Sequence, residues 1–545
     1  MNVAEGNQLS RSALNVRMIN PFRSLNTVKL LLGVFLFVAV ICPLAVMLMN
    51  ITPADVSSVV RWPRFREALL NSILAAGTAT LISTMLAWFF ALSVVRSNMP
   101  FKGQFSVFVT LPMLIPSISH GMGLILLLGV NGIITRHLGL TMSIYGFHGI
   151  VIGSVLYSFP VAFLMFSDIL KYEDGSPYEA ASVLGIPRKN QFYSISFPYL
   201  RKPLISVLFA VFTLVFTDYG VPLMIGGRFI TLPVLLYQEV IGLLNFARGS
   251  VIGSFLLVPA LIAFIFDLLN QDRANQGFVV KKRTIADSRL RDAAATCFTT
   301  LICIIIAMPI AVFAVLTFIH NYPIDMSFSF NNILRTMNMG AGRFLINSLI
   351  IAVFVSTIGT MISWFTAYFT ARTPGKSSRI LHLISITSLA IPGMVLGISY
   401  VLFFRTHFIY GTIALLILVN IVHFMASPYL MAYNSLGKLN INLEDVGRTL
   451  GIPRFRLIRG VFIPQTKQTI LEMISYLFVN SMVTISAVSF LSTVWNRPIS
   501  LMINQFEAQL FLEGAAFVSI LILGCNILLK SIIYLMGKIF KKLDS

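Results

Sequence analysis

NSILAAGTATLISTMLAWFFALSVVR, residues 71–96, returns 276 residues later as NSLIIAVFVSTIGTMISWFTAYFTAR, residues 347–372. Asn71/Asn347, Ser72/Ser348, Thr84/Thr360, Met85/Met361, Trp88/Trp364, Ala91/Ala367 and Arg96/Arg372 coincide, and the same offset carries Pro116 onto Pro392 and Gly121 onto Gly397. Apolar helices match easily by chance, but Asn, Trp and Arg in register are harder to dismiss. Six apolar spans separate the copies, so the repeat is parallel, with its axis along the membrane normal, and two such halves enclose a central pathway.

Lipid is the solvent for this chain. It is 57% hydrophobic and only 11% charged, with a mean hydropathy of +0.86, whereas a soluble domain carries about 25% charged residues. A spanning helix needs roughly 20 apolar residues. Twelve candidates meet that need: 28–49, 70–95, 105–128, 149–170, 203–222, 251–269, 293–319, 345–371, 380–404, 411–434, 468–490 and 514–536. The first is too long for a signal-peptide core, and no small-residue cleavage site follows it. No strand-period alternation appears, which excludes a β-barrel. The expectation is an all-α polytopic membrane protein of about twelve transmembrane helices in two parallel-repeat domains. Its parts are an N-terminal arm 1–27, a first domain 28–270, a polar linker 271–292 and a second domain 293–545.

The net charge is +20, from 40 Lys and Arg against 20 Asp and Glu. So basic a chain suggests nucleic acid, but the cations sit between apolar runs and form no basic domain. With both termini in the cytoplasm, the inside segments are the arm, Arg96–Lys102, Lys171–Lys202, Arg273–Arg291, Arg372–Arg379, Lys438–Lys467 and Lys538–Lys542. The outside loops keep scattered arginines: Arg61, Arg64, Arg136, Arg228, Arg248 and Arg497. That is the positive-inside bias. The charge marks orientation, and lipid rather than nucleic acid is the partner. Cys42, Cys297, Cys303 and Cys525 lie in apolar runs without metal-type spacing, and seven histidines are scattered. Neither a disulfide framework nor a metal site is expected.

Between two spans stands EAASVLGIPRKNQFYSISFP, residues 179–198. Upstream, Ser176 at the N-cap, Pro177 at the first helical position and Glu179 at the third predict a capping box. Gly185 can take the left-handed conformation that ends a helix, and Pro187 is set to open another. The segment reads as an amphipathic elbow on the wet, cationic side. A second copy follows, Asn442-Leu443-Glu444-Asp445-Val446-Gly447 and then Gly451-Ile452-Pro453-Arg454 and Ile463-Pro464. With Gly185 on Gly451, Pro187/Pro453, Arg188/Arg454 and Pro198/Pro464 fall in register, and Asn442 and Asp445 repeat the cap and the carboxylate. A lone elbow would more often lie on lipid. Two at equivalent places favour a two-fold symmetric docking partner.

Glu179-Ala180-Ala181, three residues, Gly185, nine residues and Ile195-x-Phe197-Pro198 resemble the EAA loop of ABC-importer permeases, whose pattern ends in Leu-Pro. The second copy departs, with Asp445-Val446-Gly447 in place of Glu-Ala-Ala, while Gly451, Val461 and Pro464 hold. The resemblance covers 70–270 and 345–536. It implies a pair of fused type I permease domains in a bacterial cytoplasmic membrane, each loop a coupling helix docked in a cleft of a cytoplasmic ATPase homodimer. The coupling residues would be Glu179, Ala180, Ala181, Gly185, Pro187, Arg188 and Pro198, then Glu444, Asp445, Gly447, Gly451, Pro453, Arg454 and Pro464. ATP and Mg would belong to that partner. In this chain Gly375-Lys376-Ser377 lacks the earlier P-loop glycine, since Thr370 stands there. An extracytoplasmic binding protein would deliver a small solute near the outer loop 226–249. TDYGVPLMIGG and VIGLLNFARG look most like 2-aminoethylphosphonate permeases, with iron(III) permeases next and thiamine or polyamine systems as further alternatives.

Polar groups within a membrane are functional candidates by default. Asp218, next to Tyr219, lies about 26 Å along the helix from Arg201, beyond mid-membrane. The repeat places Asn480, Ser481 and Thr484 opposite it, and these residues form the candidate pathway. Alternatively, Asp218 only caps backbone groups. An ion-coupled secondary transporter would need more buried carboxylates, and the paired elbows would go unexplained. A membrane enzyme would need a clustered constellation that the sequence lacks.

Overall fold

The computed structural model describes residues 21–139, 143–270, 285 and 287–544. Most of the arm 1–27 and of the linker 271–292 lies outside them. Among the described residues, nine helices are long and apolar enough to cross a membrane, and eleven if two sharply bent pairs each count as one span. The span expected at 468–490 is the seventeen-residue helix Lys467–Val483, which ends where Thr484 turns extended. A small hairpin, Ile319–Asn321 with Asp325–Phe328, lies outside the helical plan and was not visible in the alternation of the sequence.

Two breaks recur in both halves. The stretch read as 105–128 is a short helix Lys102–Phe108, a turn Leu111–Leu114 and a new helix Ser117–Leu128. Its counterpart is Lys376–Ala390 followed by Gly393–Phe404, bent by 111°. Pro116 and Pro392 cause both. Proline lacks an N–H and drives its predecessor out of the helical region, and Ile115 and Ile391 are extended (ψ 151° and 109°). The second break follows Phe216 in the first half and Val483 in the second.

Helix association in lipid relies on close packing and hydrogen bonds, not on a hydrophobic drive. Helix Pro63–Val95 obeys this. Ala68, Ser72, Ala75, Ala76, Ala79, Thr80, Ser83 and Ala87 are buried, whereas Leu70, Leu74, Leu81 and Met85 face outward. Ser158 donates to Ser83 across the contact with Phe147–Lys171 (2.9 Å). Each half lends its first helix to the other. Cys42–Met49 packs on Gly393–Phe404, where Tyr400 donates to the Ala39 carbonyl (2.7 Å). Arg289–Leu316 packs on Ser117–Leu128, and a Cβ on Gly123 would stand 2.7 Å from Pro309.

The duplicated Asn-Ser pair does the same work twice. Asn71 donates to the Ile230 carbonyl (3.1 Å), and Ser72 Oγ accepts from the Leu232 N–H (2.7 Å). Asn347 donates to the Trp495 carbonyl (3.0 Å), and Ser348 Oγ accepts from the Ile499 N–H (2.8 Å). Both pairs clamp the irregular chain that follows the second break. Ser348→Ala leaves the Ile499 N–H buried without a partner, a loss of about 1–3 kcal/mol. Thermal unfolding of the solubilised protein should show a lowered midpoint for Ser348→Ala and none for Thr357→Ser, whose exposed hydroxyl only returns to its own helix. An unchanged Ser348→Ala midpoint would contradict the clamp.

Candidate functional site

The two elbows share one construction. The first helix is Ser176–Val183. Gly185 (φ 68°) follows it, with Gly185 N–H on the Ser182 carbonyl (3.2 Å) and Ile186 N–H on the Ala181 carbonyl (2.9 Å). In the other half, Leu443–Thr449 ends at Gly451 (φ 66°), with Gly451 N–H on Arg448 (3.1 Å) and Ile452 N–H on Gly447 (2.8 Å). This is the Schellman turn, in which only glycine is unstrained. Short helices Arg188–Gln191 and Arg454–Leu457 begin directly after Pro187 and Pro453.

The capping box at Ser176 is corrected. Ser176 is inside the helix, and Asp174 Oδ1 accepts both its N–H (3.0 Å) and its hydroxyl (2.9 Å). The Glu179 N–H that a capping box would send to the Ser176 hydroxyl goes to the Gly175 carbonyl (3.2 Å). Asn442 likewise makes no side-chain cap, and its N–H goes to Asn440 Oδ1 (2.9 Å). Asp445 does stand in the first turn, exposed, and pairs with Arg448 (3.1 Å). Ala181 and Gly447 are buried against the following segment, Glu179 is half-buried, and Ala180, Pro198 and Pro464 are exposed.

Each elbow is held by the duplicated arginine at the end of the long core helix. Arg372 donates to Glu444 Oε1 (2.8 Å) and Oε2 (2.5 Å), to the Leu439 carbonyl (2.9 Å) and to the Asn440 carbonyl (2.7 Å). Its guanidinium also lies over the Phe462 ring (5.1 Å). Arg96 pairs with Glu173 and donates to the Leu170 carbonyl (3.1 Å). Tyr178 donates to Glu173 and meets Ser196 Oγ (2.7 Å), which ties the elbow helix to the next. Glu173, Tyr178 and Arg96 escaped the sequence reading as site residues. The recurrence of Arg96 at Arg372 was the available signal. The tips beyond these locks are apolar and bare: Val183 is 88% exposed, Leu184 74% and Leu450 67%.

Between the halves, the second break gathers polar groups. Asp218 accepts from the Val221 N–H (3.0 Å), the Gly220 N–H (3.4 Å) and the Ser117 hydroxyl, so it does cap backbone. Tyr219 meets Ser489 Oγ of the other half (3.0 Å) and stacks on Tyr237 (5.3 Å). Of the residues placed opposite, Asn480 donates to its own helix at Tyr476 (2.8 Å), Thr484 offers its carbonyl to Ser500 (2.7 Å), and the buried Ser481 hydroxyl has no hydrogen-bond partner. On the face away from the elbows, Glu239 of the loop 226–249 is buried and paired with Arg248 (3.5 Å), which covers Trp62.

Removing one member of a buried ion pair costs about 3–5 kcal/mol, because the other charge stays buried. Arg372→Ala and Glu444→Gln should each lower the thermal midpoint strongly, and the double variant should fall well short of their sum. Additive losses in that cycle would show that the two side chains are not coupled.

The family model of the binding-protein-dependent transport system inner membrane component matches residues 83–275 and again 359–541. The ferric transport system permease protein of Actinobacillus pleuropneumoniae is 27% identical over 478 residues, 84% of this chain and 69% of that protein. The Fe(3+)-transport system permease protein of Haemophilus influenzae is 23% identical over 79% of this chain and 82% of its own length. The thiamine transport system permease protein of Escherichia coli is 20% identical over 88% of this chain and 89% of its own length. The chain therefore belongs to the family of binding-protein-dependent transport system inner membrane components, as an ABC-importer permease with two fused copies of that domain.

Proposed function

We propose that this chain carries ferric iron inward, driven by a separate ATPase on its elbow face. The observation that carries the coupling is the matched pair of elbows, each ion-locked to a core helix and each presenting bare apolar side chains. A two-fold related pair fits a homodimeric ATPase with two identical clefts, and ATP and Mg act there. Closure of that dimer drives the elbows, and the halves rotate to accept a cation from an extracytoplasmic binding protein near 226–249. In this reading both termini lie in the cytoplasm, the orientation that the distribution of loop cations favours. Glu179, Gly185, Pro187, Arg188, Glu444, Gly451, Pro453 and Arg454 belong to the coupling surface in this reading. Similarity across both halves to ferric permeases moves the cargo from 2-aminoethylphosphonate, which the loop wording favours, to iron.

The test is transport in proteoliposomes holding this chain, its ATPase and its binding protein. Uptake of ferric iron should require ATP, and 2-aminoethylphosphonate should neither be carried nor compete. Competition by the phosphonate would reverse the cargo assignment. Gly185→Val and Gly451→Val force a branched side chain into the left-handed region, at about 1–2 kcal/mol or more each. Both should lose ATPase co-purification. Leu184→Asp and Leu450→Asp alter only exposed tips, so the chain should stay folded while ATPase binding falls. Full ATPase retention in all four would refute the docking role.

A further inference from the structure

We propose that Leu244 and Leu510 are paired docking pins on the outer face, seated in apolar sockets of the extracytoplasmic binding protein. The proposal rests on the function proposed above and deepens it: it names the side chains that the binding protein grips and adds the second half to the contact.

Among the described residues, three that are not glycine have positive φ, and two of them are these leucines, at 52° and 56°. They stand 266 residues apart, the offset that superposes the elbows. Each lies two residues before the last helix of its half, Phe246–Asn270 or Leu512–Asp544. The left-handed backbone crowds a Cβ against the following carbonyl oxygen, so such places usually go to glycine or asparagine. Backbone bonds hold both turns. The Asn245 N–H reaches the Glu239 carbonyl (2.9 Å), and the Phe511 N–H reaches the Phe506 carbonyl (2.8 Å). Packing does not ask for leucine here, since Leu244 is 72% exposed and Leu510 85%. A strained residue repeated at an exposed place marks a functional surface.

One crossing, Phe197–Phe216 or Lys467–Val483, separates each leucine from its elbow, so the pair lies on the face away from the ATPase side. The surroundings are polar. Leu510 lines a pocket of about 420 Å³ whose other walls include Asn321, Asn331, Asn332, Arg335, Gln509 and Glu513. Asn245 follows Leu244 and accepts the Arg248 N–H (3.1 Å), and on the same loop Gln238 accepts from Arg64 (2.8 Å). Lipid chains offer such amides and charges nothing to bond. Cover for the leucines therefore comes from the aqueous side, and in a binding-protein-dependent family the partner approaching from there is the binding protein.

Charge narrows the partner's surface. Arg335 lines the same pocket as Leu510 and lies over the Phe511 ring (4.5 Å), and the exposed Arg248 is four residues from Leu244. The acids nearby are engaged: Glu513 accepts the Tyr322 N–H (2.6 Å), and the buried Glu239 pairs with Arg248 (3.5 Å). Each socket thus has an apolar floor and an acidic rim, the usual setting of a buried anchor. The pins belong to different halves, so their separation changes when the halves move. A rigid partner that fills both sockets fits one arrangement best, and that differential fit is what shifts the halves.

The full chain with its ATPase in nanodiscs, titrated with its binding protein, tests the pins. Leu244→Asn and Leu510→Asn should each weaken binding about tenfold or more, the loss of one buried leucine. Asparagine accepts the left-handed backbone, so the thermal midpoint of both variants should hold or rise. Leu244→Met and Leu510→Met keep an apolar pin and should keep most of the affinity. Unchanged affinity in the double asparagine variant overturns the pins and leaves the proposed function standing. The same result with a lowered midpoint assigns the leucines to lipid and overturns the pins as well, as do methionine variants no tighter than the asparagine ones. No binding by the unaltered chain removes the proposed function together with the pins.

Discussion

Two buried arginine–carboxylate pairs make everything else possible. Each ends a core helix, at Arg96 and at Arg372, and each holds an elbow that has few other means of staying put. The elbow helices are eight and seven residues long. Isolated helices so short are unstable in water. Their tips are bare apolar groups, which would collapse onto lipid if the helices were free to turn. A charge pair, satisfied on both sides by backbone carbonyls and a bidentate carboxylate, fixes direction where packing cannot. Removing either partner leaves a charge with nowhere to go, so the lock is stiff as well as specific. Stiffness is what a lever needs.

The carboxylate that completes the lock is placed differently in the two halves. With the offset of 266 that aligns Gly185 and Gly451, Glu444 falls on Tyr178, and Leu439 falls on Glu173. In the first half Tyr178 therefore reaches out to Glu173, and in the second Glu444 meets the arginine directly. The end state is the same, and the side chains that reach it are not. This explains why the sequence displayed the arginines and the glycines but concealed Glu173. A left-handed turn admits one residue type and an arginine at a helix end is distinctive, whereas a carboxylate can come from any nearby position. The same holds for the caps, where Asp174 and Asn440 accept the N–H groups of Ser176 and Asn442 themselves.

Hydropathy located the spans because length and apolar content are all that lipid demands. It could not show where they break. Pro116 and Pro392 were visible in register, but whether a proline kinks a helix or ends it depends on what meets the freed backbone groups. Here Asn526 donates to the Leu114 carbonyl from the far half (2.9 Å). Nor could hydropathy show the exchange of first helices, since a lipid-facing stripe is silent about its neighbour. The offset itself held more. It falls from 276 to 266 between the two alignments, and the residues are lost from the loop after Ser117–Leu128, which holds the helix Ile133–Leu138. Its counterpart after Gly393–Phe404 is correspondingly shorter.

At the centre the repeat stops being a copy. Gly220 corresponds to Ser486, and Ser117 to Gly393. A Cβ on Gly220 would stand 2.3 Å from Ser117 Oγ, and one on Gly393 would stand 2.2 Å from Ser486 Oγ. Each close approach joins one glycine to one serine, with the roles exchanged, so the backbone path is preserved while its hydroxyl changes sides. The substitutions around it go further: Tyr157 becomes His423, and Asp218 becomes Thr484. The Asp218 carboxylate and the Tyr157 phenol thus have no counterpart at the equivalent positions of the second half. The elbows, by contrast, keep their likeness, with Gly185 and Gly451 in the same left-handed turn.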